Sequence, residues 1–145
     1  MGFGMDVLPY SLFQAQYDQA GGVNNQNQQA FTNPVPGFSS QTLSGLAGAT
    51  RAFRIDVDVA MYCSAVKAGG DVISYQLTID STNYTTASSH IFCYAINQGF
   101  GCHFVILATL STASSHSLTL YAKTTSALTT MNTDGNGFLT FTVTG

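Results

Sequence analysis

The sequence predicts an all-β protein, a sandwich or a barrel, and three observations carry that prediction. The residues that normally clothe the wet face of a helix are nearly missing. In 145 residues there are four Lys and Arg, seven Asp and no Glu, and charged residues make up 8%. Amphipathic helices rely on Glu, Lys and Arg there because these lose little rotamer freedom. In their place stand Thr, Ser, Gly, Tyr and Phe, a strand-and-turn composition. Lastly, apolar and polar residues alternate with period two in several short runs from Phe53 onward, each bounded by turn signals.

Residues 1–50 read as an extended N-terminal arm and 51–145 as the sandwich. The arm opens with a short strand signal, Val7-Leu8-Pro9-Tyr10-Ser11-Leu12-Phe13. A polar Asn/Gln/Gly run over 20–29 follows, a composition that buries no core of its own, and then Asn33-Pro34-Val35-Pro36-Gly37, whose prolines impose extended or turn geometry. Such an arm is expected to order only against a partner. Its apolar residues Phe3, Leu8, Tyr10, Phe13, Tyr17, Phe31 and Phe38 are the candidate anchors, either for docking on a neighbour or for a locally packed first strand pair.

The strands of the second part follow from the alternation. Ile55, Val57, Val59 and Met61 share one face, with Arg54, Asp56 and Asp58 on the other. After the turn Ala68-Gly69-Gly70-Asp71, the residues Ile73, Tyr75, Leu77 and Ile79 alternate with Ser74, Gln76, Thr78 and Asp80. Polar residues 81–89 lead to Ile91–Ile96, and Gln98-Gly99-Phe100-Gly101 breaks the chain. Cys102–Leu110 is apolar on both faces, which predicts a central strand or one whose outer face, including Val105 and Leu107, is covered by a second subunit. Strands over His116–Ala122 and Phe138–Val143 follow, with a short one near Ala127–Met131 between them. Leu139, Phe141 and Val143 are the inward set of the last. Seven to nine short strands result, the spacing of a sandwich or barrel.

Composition also limits function. Four basic residues and a net charge of −3 leave no electrostatic footprint for phosphates, so no nucleic-acid partner is expected. No run approaches ~20 apolar residues, so no membrane span is expected. The start Met1-Gly2-Phe3-Gly4-Met5-Asp6 lacks a basic region and an apolar core, so no signal peptide is expected and assembly is placed in a reducing cytoplasm. Cys63, Cys93 and Cys102, an odd number without a C-x-x-C, read as buried thiols rather than a disulfide framework or a zinc site.

Each chemically suggestive motif has a plainer explanation. Asn132-Thr133-Asp134-Gly135-Asn136-Gly137 resembles the opening of a calcium loop, yet its twelfth position is Val143 where a bidentate Glu is required. Hairpin chemistry accounts for it. Asp56 and Asp58 lie ~6–7 Å apart along one strand face, near glycosidase separations, but Arg54 beside them predicts a solvated charge pair. His90, His103 and His116 recur every 13 residues without the close spacing and helper carboxylates of a metal site. No nucleophile elbow or phosphate loop occurs. The expectation is a protein that is not an enzyme, without metal or cofactor.

Four segments carry a resemblance: Phe53–Val59, Gly70–Asp80, Leu110–Leu120 and Gly137–Val143. Their strand-and-turn texture resembles the small jelly-roll modules of tailed bacteriophages, themselves similar to tumour-necrosis-factor and C1q-like trimers. The resemblance covers residues 53–145. It implies a jelly-roll β-sandwich, a homotrimer, and a virion role contacting the major capsid protein or other virion proteins. A capsid decoration (cement) protein is the first expectation, a receptor-binding fibre or spike head the second, and a carbohydrate-binding module binding a glycan the third. It also implies an arm that clasps a neighbouring subunit.

Overall fold

The computed structural model describes residues 14–20, 25–35, 40–43, 50–86, 89–111, 115–133 and 137–145, with backbone only for 14–20 and 51. Ten strands are described: β1 (Gln14–Ala20), β2 (Gln41–Leu43), β3 (Arg51–Ala65), β4 (Asp71–Ile79), β5 (Thr82–Tyr84), β6 (His90–Cys93), β7 (Gly99–Leu110), β8 (His116–Lys123), β9 (Thr130–Asn132) and β10 (Phe138–Thr144). They form two antiparallel sheets. Sheet A has the order β1-β10-β3-β7, with β9 on the far end of β3, and sheet B the order β2-β8-β4-β5, with β6 also on β4. The chain crosses between the sheets from β1 to β4 strand by strand, then again into β7, β8 and β9. That is the jelly-roll path.

Alternation decides which side chains meet between the sheets. Phe53, Ile55, Val57, Val59, Met61 and Cys63 of β3 are buried, as are Ile73, Tyr75, Leu77 and Ile79 of β4 and Leu139, Phe141 and Val143 of β10, as their period requires. The Tyr75 and Phe104 rings stack at 6.3 Å across the core. Buried Tyr75 Oη has the Met61 sulfur at 3.4 Å as its acceptor, which offsets part of the cost of taking a hydroxyl out of water. Cys63, Cys93 and Cys102 are buried and in no disulfide with one another.

The described parts of the segment set apart as an arm belong to the sandwich. β1 pairs with β10 over its full length, placing Tyr17 opposite Phe141, and β2 pairs with β8 from Gln41↔Leu118 to Leu43↔His116. A boundary at 50/51 therefore divides both sheets. Between these strands, residues 25–35 form a strap held by hydrogen bonds. Gln26 exchanges backbone bonds with Met131, and the Gln28 carbonyl accepts from Thr124 N at 2.9 Å. The Gln28 amide donates to the Ala122 carbonyl at 2.6 Å and to the Asn33 carbonyl at 2.8 Å, while its oxygen accepts from Asn33 N and the Thr32 hydroxyl. Asn132 Nδ2 donates to Asn25 Oδ1 at 2.6 Å. The Asn/Gln run thus orders by satisfying backbone groups at a sheet margin, a route that a count of apolar residues misses. Val35 and Leu43 add apolar anchors to the core. Phe3, Leu8, Tyr10, Phe13 and Phe38 lie outside the described residues, as does the strand expected over 7–13.

β7 departs from the first of its two expectations. Among the described residues it is an edge strand of sheet A, bonded along Gly99–Leu110 to β3 alone. Cys102, Phe104, Ile106, Ala108 and Leu110 point into the core while Val105 and Leu107 point outward. Apolar character on both faces therefore does not mark a central strand here. The strand near Ala127–Met131 is present as β9, displaced a few residues towards the C-terminus.

Candidate interface on the outer face of sheet A

The outward residues of sheet A can be laid out in rows from its register. Thr144, Arg54 and Leu107 form one row, Thr142, Asp56 and Val105 the next, then Thr140, Asp58 and His103, and then Phe138, Ala60 and Gly101; Tyr62 and Gly99 close the array. The charged groups occupy the middle. Arg54 holds Asp56 with two 2.8 Å bonds, and the guanidinium lowers the pKa of this carboxyl below its ordinary value. His103 lies 2.7 Å from Asp58 and 3.5 Å from Asp56. Asp56 and Asp58 are thus each engaged by a basic side chain on a solvated face, as Arg54 predicts, and form no paired-carboxylate pocket.

Beyond this cluster the face opens into a groove of about 630 Å³ lined by Ala60, Tyr62, Asn97, Gly99, Gly101 and Phe138. The glycines form its floor. Neither has a positive φ, and a Cβ would meet nothing nearer than the Met61 carbonyl at 4.0 Å for Gly99 or the Val59 carbonyl at 3.7 Å for Gly101. The fold therefore demands no glycine at either position. Glycine inside a strand costs roughly 0.5–1 kcal/mol relative to Ala, and it often marks a place where a ligand or another chain approaches closely. Gly137 differs: a Cβ there would lie 2.9 Å from the Ala60 carbonyl, so packing requires it.

Exposed apolar side chains gather near the same end. Tyr94 is 68% exposed, Ile96 60% and Phe92 50%, and the rings of Phe92 and Tyr94 contact at 5.7 Å. Phe138, on the groove wall, is 48% exposed, and Leu107, at the other end of β7, is 73% exposed. Of the two outward β7 residues expected to be covered by another subunit, Leu107 is thus open and Val105 half-buried. The strand expected over Ile91–Ile96 ends at Cys93 as β6, and Phe92, Tyr94 and Ile96 form an exposed apolar cluster around its end. The run is apolar at every position, so its sequence carries no sign of which residues face out.

The outer face of sheet B has a different character. A shallow cleft of about 430 Å³ is lined by Phe31, Ser74, Gln76, Thr86, His90 and Lys123. Lys123 Nζ sits 4.7 Å from the centre of the Phe31 ring, a cation–π contact within the chain. The three histidines do not converge. His90 is exposed on β6, His103 lies on the outer face of sheet A, and His116 is buried at the Asp80 turn. Asp134, Gly135 and Asn136 of the calcium-like loop lie outside the described residues, and Asn132 uses its amide to hold Asn25 and Ser64.

No family model and no curated protein matches this sequence. Among solved structures, dimeric latent PorU from Porphyromonas gingivalis is similar over 94% of this chain, at 9% identity and a TM-score of 0.47, and the chain spans 13% of its length. The EclA C-terminal domain, described as a sugar-binding protein, is similar over 97% of this chain and 84% of its own, at 15% identity and a TM-score of 0.42.

Proposed function

We propose that this protein is a non-enzymatic virion module that works as a homotrimer, as a decoration protein stabilising a phage capsid. One observation supports the reading: among the described residues, the outer face of sheet A ends in an edge strand with exposed apolar residues and a glycine-floored groove. Long edge strands in soluble monomers are normally guarded by Lys, Pro or a covering segment. β7 has no Lys, Arg, Asp or Glu along its length, and the chain has none between Asp80 and Lys123. A second copy covering this face supplies the missing protection. In this reading the partners are two further copies and the major capsid protein, and the protein resides on the virion after assembly in the host cytoplasm. A fibre or spike head is the other placement compatible with the same trimer. Light scattering of the full chain at micromolar concentration tests the assembly, with three protomer masses expected and a monodisperse monomer opposing it. Addition to undecorated capsids tests the placement, with saturable binding expected.

A carbohydrate-binding role is the second reading, favoured by the sheet B cleft. There an aromatic ring, an ammonium group, an amide and hydroxyls converge on one open surface, a mixture suited to a sugar's apolar face and hydroxyl edge. Binding to a glycan array that Phe31→Ala abolishes supports it. Unchanged binding by that variant opposes it.

A further inference from the structure

We infer that the exposed Phe92–Tyr94–Ile96 cluster of one copy seats in the Gly99/Gly101 groove of the next copy. The inference rests on the homotrimer reading and names the two surfaces that would build it.

The two surfaces complement each other in chemistry and shape. The cluster lies in a segment without any charged residue, and among the described residues the groove is lined without a charged side chain. Contact between these described residues desolvates no ion, the costly event at an interface. The cluster projects from the surface and the groove is recessed, its floor lowered by two glycines that the backbone does not require. With between half and two-thirds of their surface still open, Phe92, Tyr94 and Ile96 add to the ~800 Å² per partner of a standard interface, and the walls Tyr62 and Phe138 meet them.

The cluster is also held in place before any contact. Phe92 packs on Gly70, where a Cβ would stand 2.4 Å from the ring, and Tyr94 leans on Phe92. Asn97, with φ of 58°, turns the chain behind Ile96 and donates its N–H to the Cys63 carbonyl at 2.8 Å. A preordered projection loses little entropy on docking.

Cluster and groove are different patches of one chain, so their contact is heterologous. Such contacts form a closed ring where the rotation closes and an open filament where it does not. A trimer is the closed form that the proposed function requires.

The test uses the full chain. Tyr94→Asp is expected to convert a trimer into a monomer in light scattering, with an unchanged circular dichroism spectrum. The double variant Tyr94→Cys with Gly101→Cys, oxidised with glutathione disulfide, is expected to run as a covalent trimer on a non-reducing gel, while each single cysteine variant stays uncrosslinked. A covalent dimer as the end point would replace the ring by a two-fold contact and overturn the inference. So would crosslinking of the Gly101→Cys variant alone, which would mean groove against groove. A wild-type trimer that neither Tyr94→Asp nor the cysteine pair affects overturns the inference and leaves the homotrimer reading standing. A wild-type monomer removes both.

Discussion

Asp80 and His116 lock two turns of sheet B together: Asp80 Oδ2 lies 2.8 Å from His116 Nδ1, while Asp80 Oδ1 accepts from Ser117 N at 3.0 Å. Asp80 has a positive φ of 54° at the β4–β5 turn, a region that Asp tolerates better than most residues. On its other side His116 Nε2 meets the Ser111 carbonyl at 2.6 Å. Two acceptors at the two ring nitrogens favour the imidazolium, which donates from both.

Stability is expected to follow this pair in a defined pH window. The Asp80 bond, with the Ser111 carbonyl, raises the His116 pKa above its ordinary 6.5. That contribution is complete below 6.5 and is lost as pH rises through the higher folded value. The His116 bond, with Ser117 N, lowers the Asp80 pKa below 3.8, so its contribution is present above 3.8 and is lost as pH falls through the lower folded value. The unfolding free energy of Asp80→Asn, from denaturant titration, should fall by on the order of 1 kcal/mol between these limits, since Asp80 is half-exposed and screened. The difference from wild type should narrow at pH 8 and above, and equal differences at pH 5.5 and 9 would oppose the assignment.

Asp71 should be the costlier carboxylate to remove. It is buried; Oδ1 accepts from Val72 N at 2.8 Å, Thr125 N at 3.2 Å and the Thr125 hydroxyl, and Oδ2 from Ser126 N at 3.1 Å. Burial pushes its pKa up, but hydrogen bonds from Thr125, Thr129 and Val72 outweigh this and leave it below its ordinary value. Asp71→Ala strands several donors and is expected to cost about 2–4 kcal/mol in urea unfolding. Because the folded pKa is lowered, the wild-type advantage should persist at neutral pH and fade on acidification through that value.

Truncation separates an arm from a strand. Deleting residues 1–37 removes β1, whose seven residues pair with β10, together with the strap that Gln28 fastens to β8. The truncated chain is expected to lose cooperative thermal unfolding or to melt at least ~5 °C lower, and to aggregate through the uncovered β10 edge. An unchanged melting temperature would restore the free-arm reading. Gln28→Ala in the full chain should cost roughly 1–3 kcal/mol, because it leaves the partly buried Ala122 carbonyl without its donor.

The glycines should divide by sign. Gly101→Ala fits the strand with ordinary contacts and is expected to stabilise the subunit by about 0.5–1 kcal/mol under conditions that keep it monomeric. Gly70→Ala, at φ of 90° and with the Phe92 ring 2.4 Å from the added carbon, should destabilise it by more than ~1 kcal/mol. Chemical denaturation of both variants checks the contrast, and a destabilised Gly101→Ala would mean that the groove floor is needed by the fold.

Periodicity along the chain was enough to set the strands of the core and their inward faces. Ile55 to Met61, Ile73 to Ile79 and Leu139 to Val143 needed only the two-residue period, because a half-buried strand has no other way to bury one face. It also made plain that Asp56 would be taken by Arg54, two residues along one face. Only the tertiary structure decided which strand became an edge, since β7 is apolar on both sides and local pattern does not record neighbours. It alone turned the Asn/Gln segment from a loose arm into a strap, because amides such as Gln28 find their acceptors about ninety residues away in sequence, on Ala122. The groove likewise exists through pairing: Gly101 lies beside Ala60 and Phe138 because β7, β3 and β10 share one register. Periodicity reports one strand's own faces. Edges, straps and grooves are relations between distant strands, and non-local pairing settles them.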